Sequence, residues 1–264
     1  MHSYTLVITN TWNEILTYRV NFVMWRMRNI IQLAGTYALW LTLLAQGDSI
    51  FGYTREMLIT YILGVYLITS IVASTRTTEI GTDILNGNLS NYLIRPLNYF
   101  GYYIARDIGD KFANILLTLG ELTILFLLIH PVLFIQTNIL ILLGFLLALF
   151  LALCLQFILY VLVSILAFWS DDVWGIRFIY LVVASFFMGA YFPLDMLPEP
   201  FFSIFQALPF QYLLYFPLKI YLGEMPLMSF ITGMLVCLLW IIVLYLVTKM
   251  LWQKGIKSYT AYGR

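Results

Sequence analysis

The chain has 264 residues, 62% of them apolar and only 10% charged, with a formal net charge of +1 and a mean hydropathy of +0.91. That composition lies far outside the range of soluble domains, and no nucleic-acid partner is expected of it. Cys154 and Cys237 both fall inside apolar runs, which excludes a disulfide framework or a thiol motif.

Leu, Ile and Phe recur in runs of about 18 or more residues, the pattern of spanning helices rather than of alternating barrel strands. The fold class is therefore an all-α polytopic membrane protein, one transmembrane domain over 1–264. Residues 1–11 lack the basic start, short apolar core and small-residue cleavage site of a signal peptide and read as mature sequence. An N-terminal interfacial helix follows at 10–28. Trp12, Leu16, Val20, Val23 and Met27 recur at steps of three and four, opposite Asn10, Glu14, Thr17, Asn21 and Arg28. In that reading Arg19, Arg26 and Arg28 sit among lipid phosphates while the apolar face dips into the acyl boundary. The alternative is an extension of the first span into the cytosol.

Apolar runs at 29–46, 57–74, 112–129, 138–169, 173–192 and 227–251 predict six transmembrane helices. The fourth, at about 1.5 Å per residue, exceeds a bilayer core of about 30 Å and should tilt or project. With the N-terminus inside, only Arg55 and Lys219 of the 14 basic residues fall outside. The positive-inside rule then places both termini in the cytoplasm.

The segment 193–226, external in this topology, holds six of the eight prolines: Pro193, Pro198, Pro200, Pro209, Pro217 and Pro226. They divide it into pieces too short to cross. Residues 201–208 and 210–216 read as external re-entrant or interfacial helices, or as a hydrophobic loop lying on lipid.

Chemical motifs are sparse. There is no G-x-x-x-x-G-K-[ST] loop to cradle nucleotide phosphates. His2 and His130 are the only histidines, and no metal-ligand or catalytic spacing appears. Asp171 and Asp172 occupy a short turn where helix capping accounts for them. Glu121 stands midway along the third span, where an acid costs on the order of 3 kcal/mol to insert. Two readings stand: it lines a translocation path, or it pins two helices through a partner such as Gln156 or a backbone carbonyl. Gln32 and Gln156 carry weaker versions of the same argument, with packing roles.

The longest polar interruption, 76–111, is the candidate cytoplasmic coupling segment. Residues 77–86 read as a short helix with Glu79 and Asp83 four apart, Ile80 and Ile84 beside them, and Gly87 ending it. Such a helix is a docking element for another protein, or a solvated loop helix. On the docking reading Glu79 and Asp83 steer the partner while Ile80 and Ile84 supply the buried contact. Pro96 then pushes Arg95 out of helical geometry and forces a corner, after which 98–111 runs amphipathically into the third span.

At these residues the chain resembles the permease subunits of ABC exporters of the ABC-2 type, in the bacterial branch marked by G-x-L-x-x-Y-L-x-R-P-L between the second and third spans. Gly87, Leu89, Tyr92, Leu93, Arg95, Pro96 and Leu97 match in order. The resemblance implies a half-transporter in the bacterial cytoplasmic (inner) membrane. It would pair with a second permease, as homo- or heterodimer, and with separate ATP-binding cassette ATPase subunits. ATP and Mg would be bound by the partner ATPase, with no cofactor in this chain, and the stroke would pass through Glu79, Ile80, Asp83, Ile84, Gly87, Arg95 and Pro96. Glu121 and Gln156 are the candidates for the path. The competing classes are a lipid-modifying integral-membrane enzyme with Glu121 as acid or base, and an ion-coupled carrier using the same residue.

Overall fold

The computed structural model describes residues 2–17, 19–45 and 49–259. It is about 80% helical, and the only strands among the described residues, Ser49–Ile50 (β1) and Tyr53–Thr54 (β2), form an antiparallel hairpin of two residues each.

The helix expected over 10–28 is divided between two elements. Residues 10–17 belong to α1 (His2–Thr17) and 19–28 to α2 (Arg19–Leu44), so the second part is continuous with the helix that carries the first apolar run. α1 instead lies along the start of α6 (Tyr99–Ile129). Its Ile15 is buried, and its Trp12 ring packs 5.9 Å from that of Phe112. Of the expected apolar stripe, Val20, Val23 and Met27 do face outward. Arg26 does not reach phosphates: it is 5% exposed, because an acid within the bundle claims it. The side chains of Leu16, Arg19 and Asn21, used in the same expectation, lie outside the described residues, as does Gln46 at the end of the first apolar run.

Among the described residues four helices are long and apolar enough to cross a membrane: α3 (Arg55–Val72), α6, α7 (Ile139–Ile165, prolonged by a 3₁₀ turn to Phe168) and α11 (Leu227–Ser258). They correspond to the second, third, fourth and sixth predicted runs. The first run lies in α2, whose apolar stretch is diluted by Asn29, Gln32 and Thr36, and the fifth forms α8 (Val173–Phe187), 15 residues long. Side-chain caps set several starts. Thr54 accepts from the Met57 amide, Asn98 from Gly101, Asn138 from Leu140 and Asp172 from Gly175. α3 is the central helix, with 44% of its apolar window buried against 11% for α11.

The proline-rich segment folds into α9 (Glu199–Ala207), a 3₁₀ turn at Pro209–Leu213 and α10 (Tyr215–Tyr221). Tyr212, Leu213, Leu214, Tyr215, Phe216 and Leu218 are all buried, against α7, α3 and α11. Of the two readings, the loop lying flat on lipid does not describe this half. A clasp fixes it: Lys219 on α10 pairs with Asp195 at 2.7 Å and with Glu224, and lies over the Tyr53 ring of β2.

At the other end of the bundle α4 (Glu79–Leu85) and α5 (Leu89–Leu93) form a second, smaller core. Ile80, Ile84 and Leu89 interlock with Tyr99, Tyr103, Val161, Ile165 and Phe168. Gly81 permits that fit, since a Cβ there would lie 2.6 Å from Val173 and 3.3 Å from the Ser164 carbonyl. Gly87 ends α4 in the left-handed region at φ 74°, as its place in the sequence predicts.

Candidate functional site

α4 is joined to its neighbours by charge as well as by its apolar core. Arg76, just before it, donates Nε to Asp110 on α6 at 2.9 Å, and its Nη1 lies 3.4 Å from both Glu14 on α1 and Glu79 on α4. Arg106 on α6 bonds the same two glutamates, Glu14 at 2.5 Å and Glu79. Lys111 pairs with Asp107 at 3.2 Å and donates to the carbonyls of Ile71 and Ser74, so the end of α3 joins the same knot. Two guanidiniums shared among three carboxylates fix α1, α4 and α6 in a single arrangement, since planar forks hold bidentate geometry that a lysine would not.

Glu79 and Asp83 are therefore engaged within the chain rather than free to steer a partner. Asp83 accepts from the hydroxyls of Tyr103 at 2.6 Å and Tyr99 at 3.1 Å. Burial pushes the Glu79 carboxyl up from its ordinary value, with Arg106 and Arg76 opposing. Burial also raises Asp83, against the two hydroxyls. The expectation that Ile80 and Ile84 contact a partner is corrected likewise: they are 0% and 3% exposed, because the α4 stripe covers this chain's own α6 and α7. What faces outward is Thr82, Asn86, Asn88, Asn91, Leu93 and Ile94, the last 83% exposed, followed by Arg95 and Pro96. The corner forms where Pro96 predicts it, between α5 and α6. Arg95 lays its guanidinium over Tyr92, 5.1 Å from the ring centroid.

Glu121 lies deeper in the bundle. Arg26 on α2 gives Nε to Oε1 at 2.7 Å and Nη2 to Oε2, and Tyr66 on α3 donates to Oε2 at 2.5 Å. Arg26 is further held by Thr118 at 2.8 Å and Asn114 at 3.3 Å. Glu121 thus pins α2, α3 and α6, and its partner is Arg26 rather than Gln156. Gln156 is buried on α7, where it accepts from Tyr180 of α8 at 3.2 Å. The structure does not bring Glu121 and Gln156 together.

Sequence reasoning missed Arg76, Arg106 and Asp110, and placed Glu14 and Arg26 on an interfacial helix rather than in these ion pairs. The only local signal was the spacing of Asp107, Asp110 and Lys111, which puts them on one helical face. Residues 30–263 match the family described as ABC-2 family transporter protein. No curated relative matches the chain.

Proposed function

We propose, from the premise that the chain belongs to the ABC-2 family of transporter proteins, that it is the permease subunit of an ATP-driven exporter. α2 and α8 would complete six spans beside α3, α6, α7 and α11. A second permease would close the path, and separate ATPase subunits would supply the energy. The α4 end would face the cytoplasm, with both termini there, by the distribution of basic residues.

The observation that carries this reading is the binding of α4 and α5 into the bundle while Ile94 and Arg95 stand out from it. A domain docked on that exposed corner pushes on an element tied to α1, α3 and α6 at once, and elements so joined move together. Ile94 would be the apolar anchor of the contact and Arg95, stacked on Tyr92, its charged neighbour. Glu79, Ile80, Asp83, Ile84 and Gly87 would act in coupling as the internal attachment rather than as the docking face. The enzyme and ion-carrier alternatives both depend on Glu121, whose two oxygens are engaged by Arg26 and Tyr66. The test is purification in mild detergent: an ATPase chain should accompany the parent protein and be lost from Ile94→Asp. A parent that purifies without any ATPase would sink the proposal.

A further inference from the structure

α2 packs mainly on α3, and α8 on α7, leaving between the four helices a cavity of about 650 Å³. That volume falls within the roughly 300–1,000 Å³ typical of small-molecule sites. One end is closed. Trp40 of α2 donates its indole N–H to the Tyr191 carbonyl at 3.2 Å, and Tyr61 of α3 donates to the Gly189 carbonyl at 2.7 Å. The opposite end is basic. Arg28 lies about 18 Å from Trp40 along α2 at the rise of a helix, and Arg177 stands one turn into α8. The cavity wall contains no Asp or Glu among the described residues.

Two atoms on this wall lack partners. Arg177 Nε is buried without a hydrogen bond, and none of the ion pairs among the described residues involves Arg177. Thr69 Oγ1 is likewise buried and unbonded. Helical threonines usually return the hydroxyl to the carbonyl one turn back, as Thr9, Thr11 and Thr17 do here. Only two other buried side-chain atoms among the described residues are unpaired, so half of them line one cavity. A buried guanidinium edge without an acceptor is costly within an apolar bundle, and a ligand oxygen removes that cost. Ile62, Val65, Leu181 and Val182 give the wall between the two ends aliphatic surface beside the polar Gln32, Thr36 and Ser185, and Trp174, stacked on Phe178 at 5.4 Å, adds an aromatic surface on the Arg177 stretch of α8.

We propose that this cavity binds an anionic amphiphile, its phosphate or carboxylate held by Arg177 and Arg28 and its hydrocarbon chain lying along α3 toward Trp40. Guanidinium forks match both anions, and Thr69 supplies a donor further along the wall. That the amphiphile is transported rests on the permease reading above. The binding itself does not, since it needs no ATPase.

The experiment measures equilibrium binding of a fluorescently labelled phosphatidylglycerol to the purified chain in detergent, beside labelled diacylglycerol, which has the same chains without the anion. Phosphatidylglycerol should bind at least about tenfold more tightly, the loss of one charge-assisted bond in Arg177→Gln should weaken it about tenfold, and diacylglycerol should be indifferent to that change. Arg177→Lys keeps the charge without the fork and should bind between the parent and Arg177→Gln, which separates recognition from misfolding. Thr69→Val should weaken it by a smaller factor. Excess inorganic phosphate should not displace the lipid. Equal binding of the two lipids, parent-like binding by Arg177→Gln, or displacement by phosphate alone would each overturn the proposal. ATPase copurification is scored separately, so its failure would remove the exporter reading and leave the amphiphile site standing.

Discussion

Arg26 on α2 clasps Glu121 on α6 by two prongs, one of them 2.7 Å long, with the arginine 5% exposed. Removing one partner of such a pair leaves the other charge stranded, whereas removing both does not. Arg26→Met should therefore destabilise by roughly 3 kcal/mol, and Arg26→Met with Glu121→Leu by less than that single change. Glu121→Gln should fold with a smaller loss, because an amide oxygen still accepts from Arg26 and Tyr66. Thermal unfolding in mild detergent reads the parent, Arg26→Met, Glu121→Leu, their combination and Glu121→Gln, and a double change whose loss equals the sum of Arg26→Met and Glu121→Leu would show that the pair is not coupled.

Ile80 and Ile94 should separate packing from docking. A carboxylate at Ile80 or Ile84 enters the core around Tyr103 and Phe168 and should cost at least about 3 kcal/mol, seen as aggregation or loss of a monodisperse gel-filtration peak. Ile94→Asp, at an exposed site, should keep the parent's melting behaviour and lose the ATPase. Retention of the ATPase by folded Ile94→Asp would move the docking surface elsewhere.

Asp83 sets a pH dependence. Its folded value is raised by burial, so the folded chain binds the proton more tightly than the unfolded chain, whose Asp titrates near about 3.9. Stability should fall as pH rises from there through the raised folded value, and be level above it. Glu79 contributes in the same direction. Asp83→Asn should flatten part of that fall, since its amide oxygen still accepts from Tyr99 and Tyr103. Melting temperatures across the acid range provide the comparison, and an unchanged slope would mean that Asp83 is not a contributor.

The proposed orientation has a direct check. Cysteines placed at Asn88 and Gln253 should react with an impermeant thiol reagent only in inverted vesicles, and one at Glu199 only in intact cells. Labelling of Asn88 in intact cells would reverse the topology and remove the coupling proposal with it.

What could be read from the sequence was local. The 138–169 run became α7 with its 3₁₀ extension, Gly87 ended α4, Pro96 marked the corner and Asp172 capped α8, because each depends on neighbours within a few residues. Arg26 and Glu121 are 95 positions apart and Arg106 and Glu14 are 92, and no spacing rule pairs residues at such range. Ile80 and Ile84 show a different shortfall. Periodicity revealed that α4 has an apolar face and could not say whether the cover would be another protein or this chain's own α6 and α7.

α6 runs unbroken from Tyr99 to Ile129, about 46 Å at the rise of a helix, with no proline along it. It carries Arg106 and Asp110 near one end and Glu121 nearer the other. Without a proline to form a sharp kink, it would act as a rocker arm: a turn of about 10° about its centre would swing each end by about 4 Å in opposite senses. Glu121 would travel with its own half of the arm, drawing Arg26 and α2 along, so displacement near Arg106 would be geared into movement of the helix that walls the cavity.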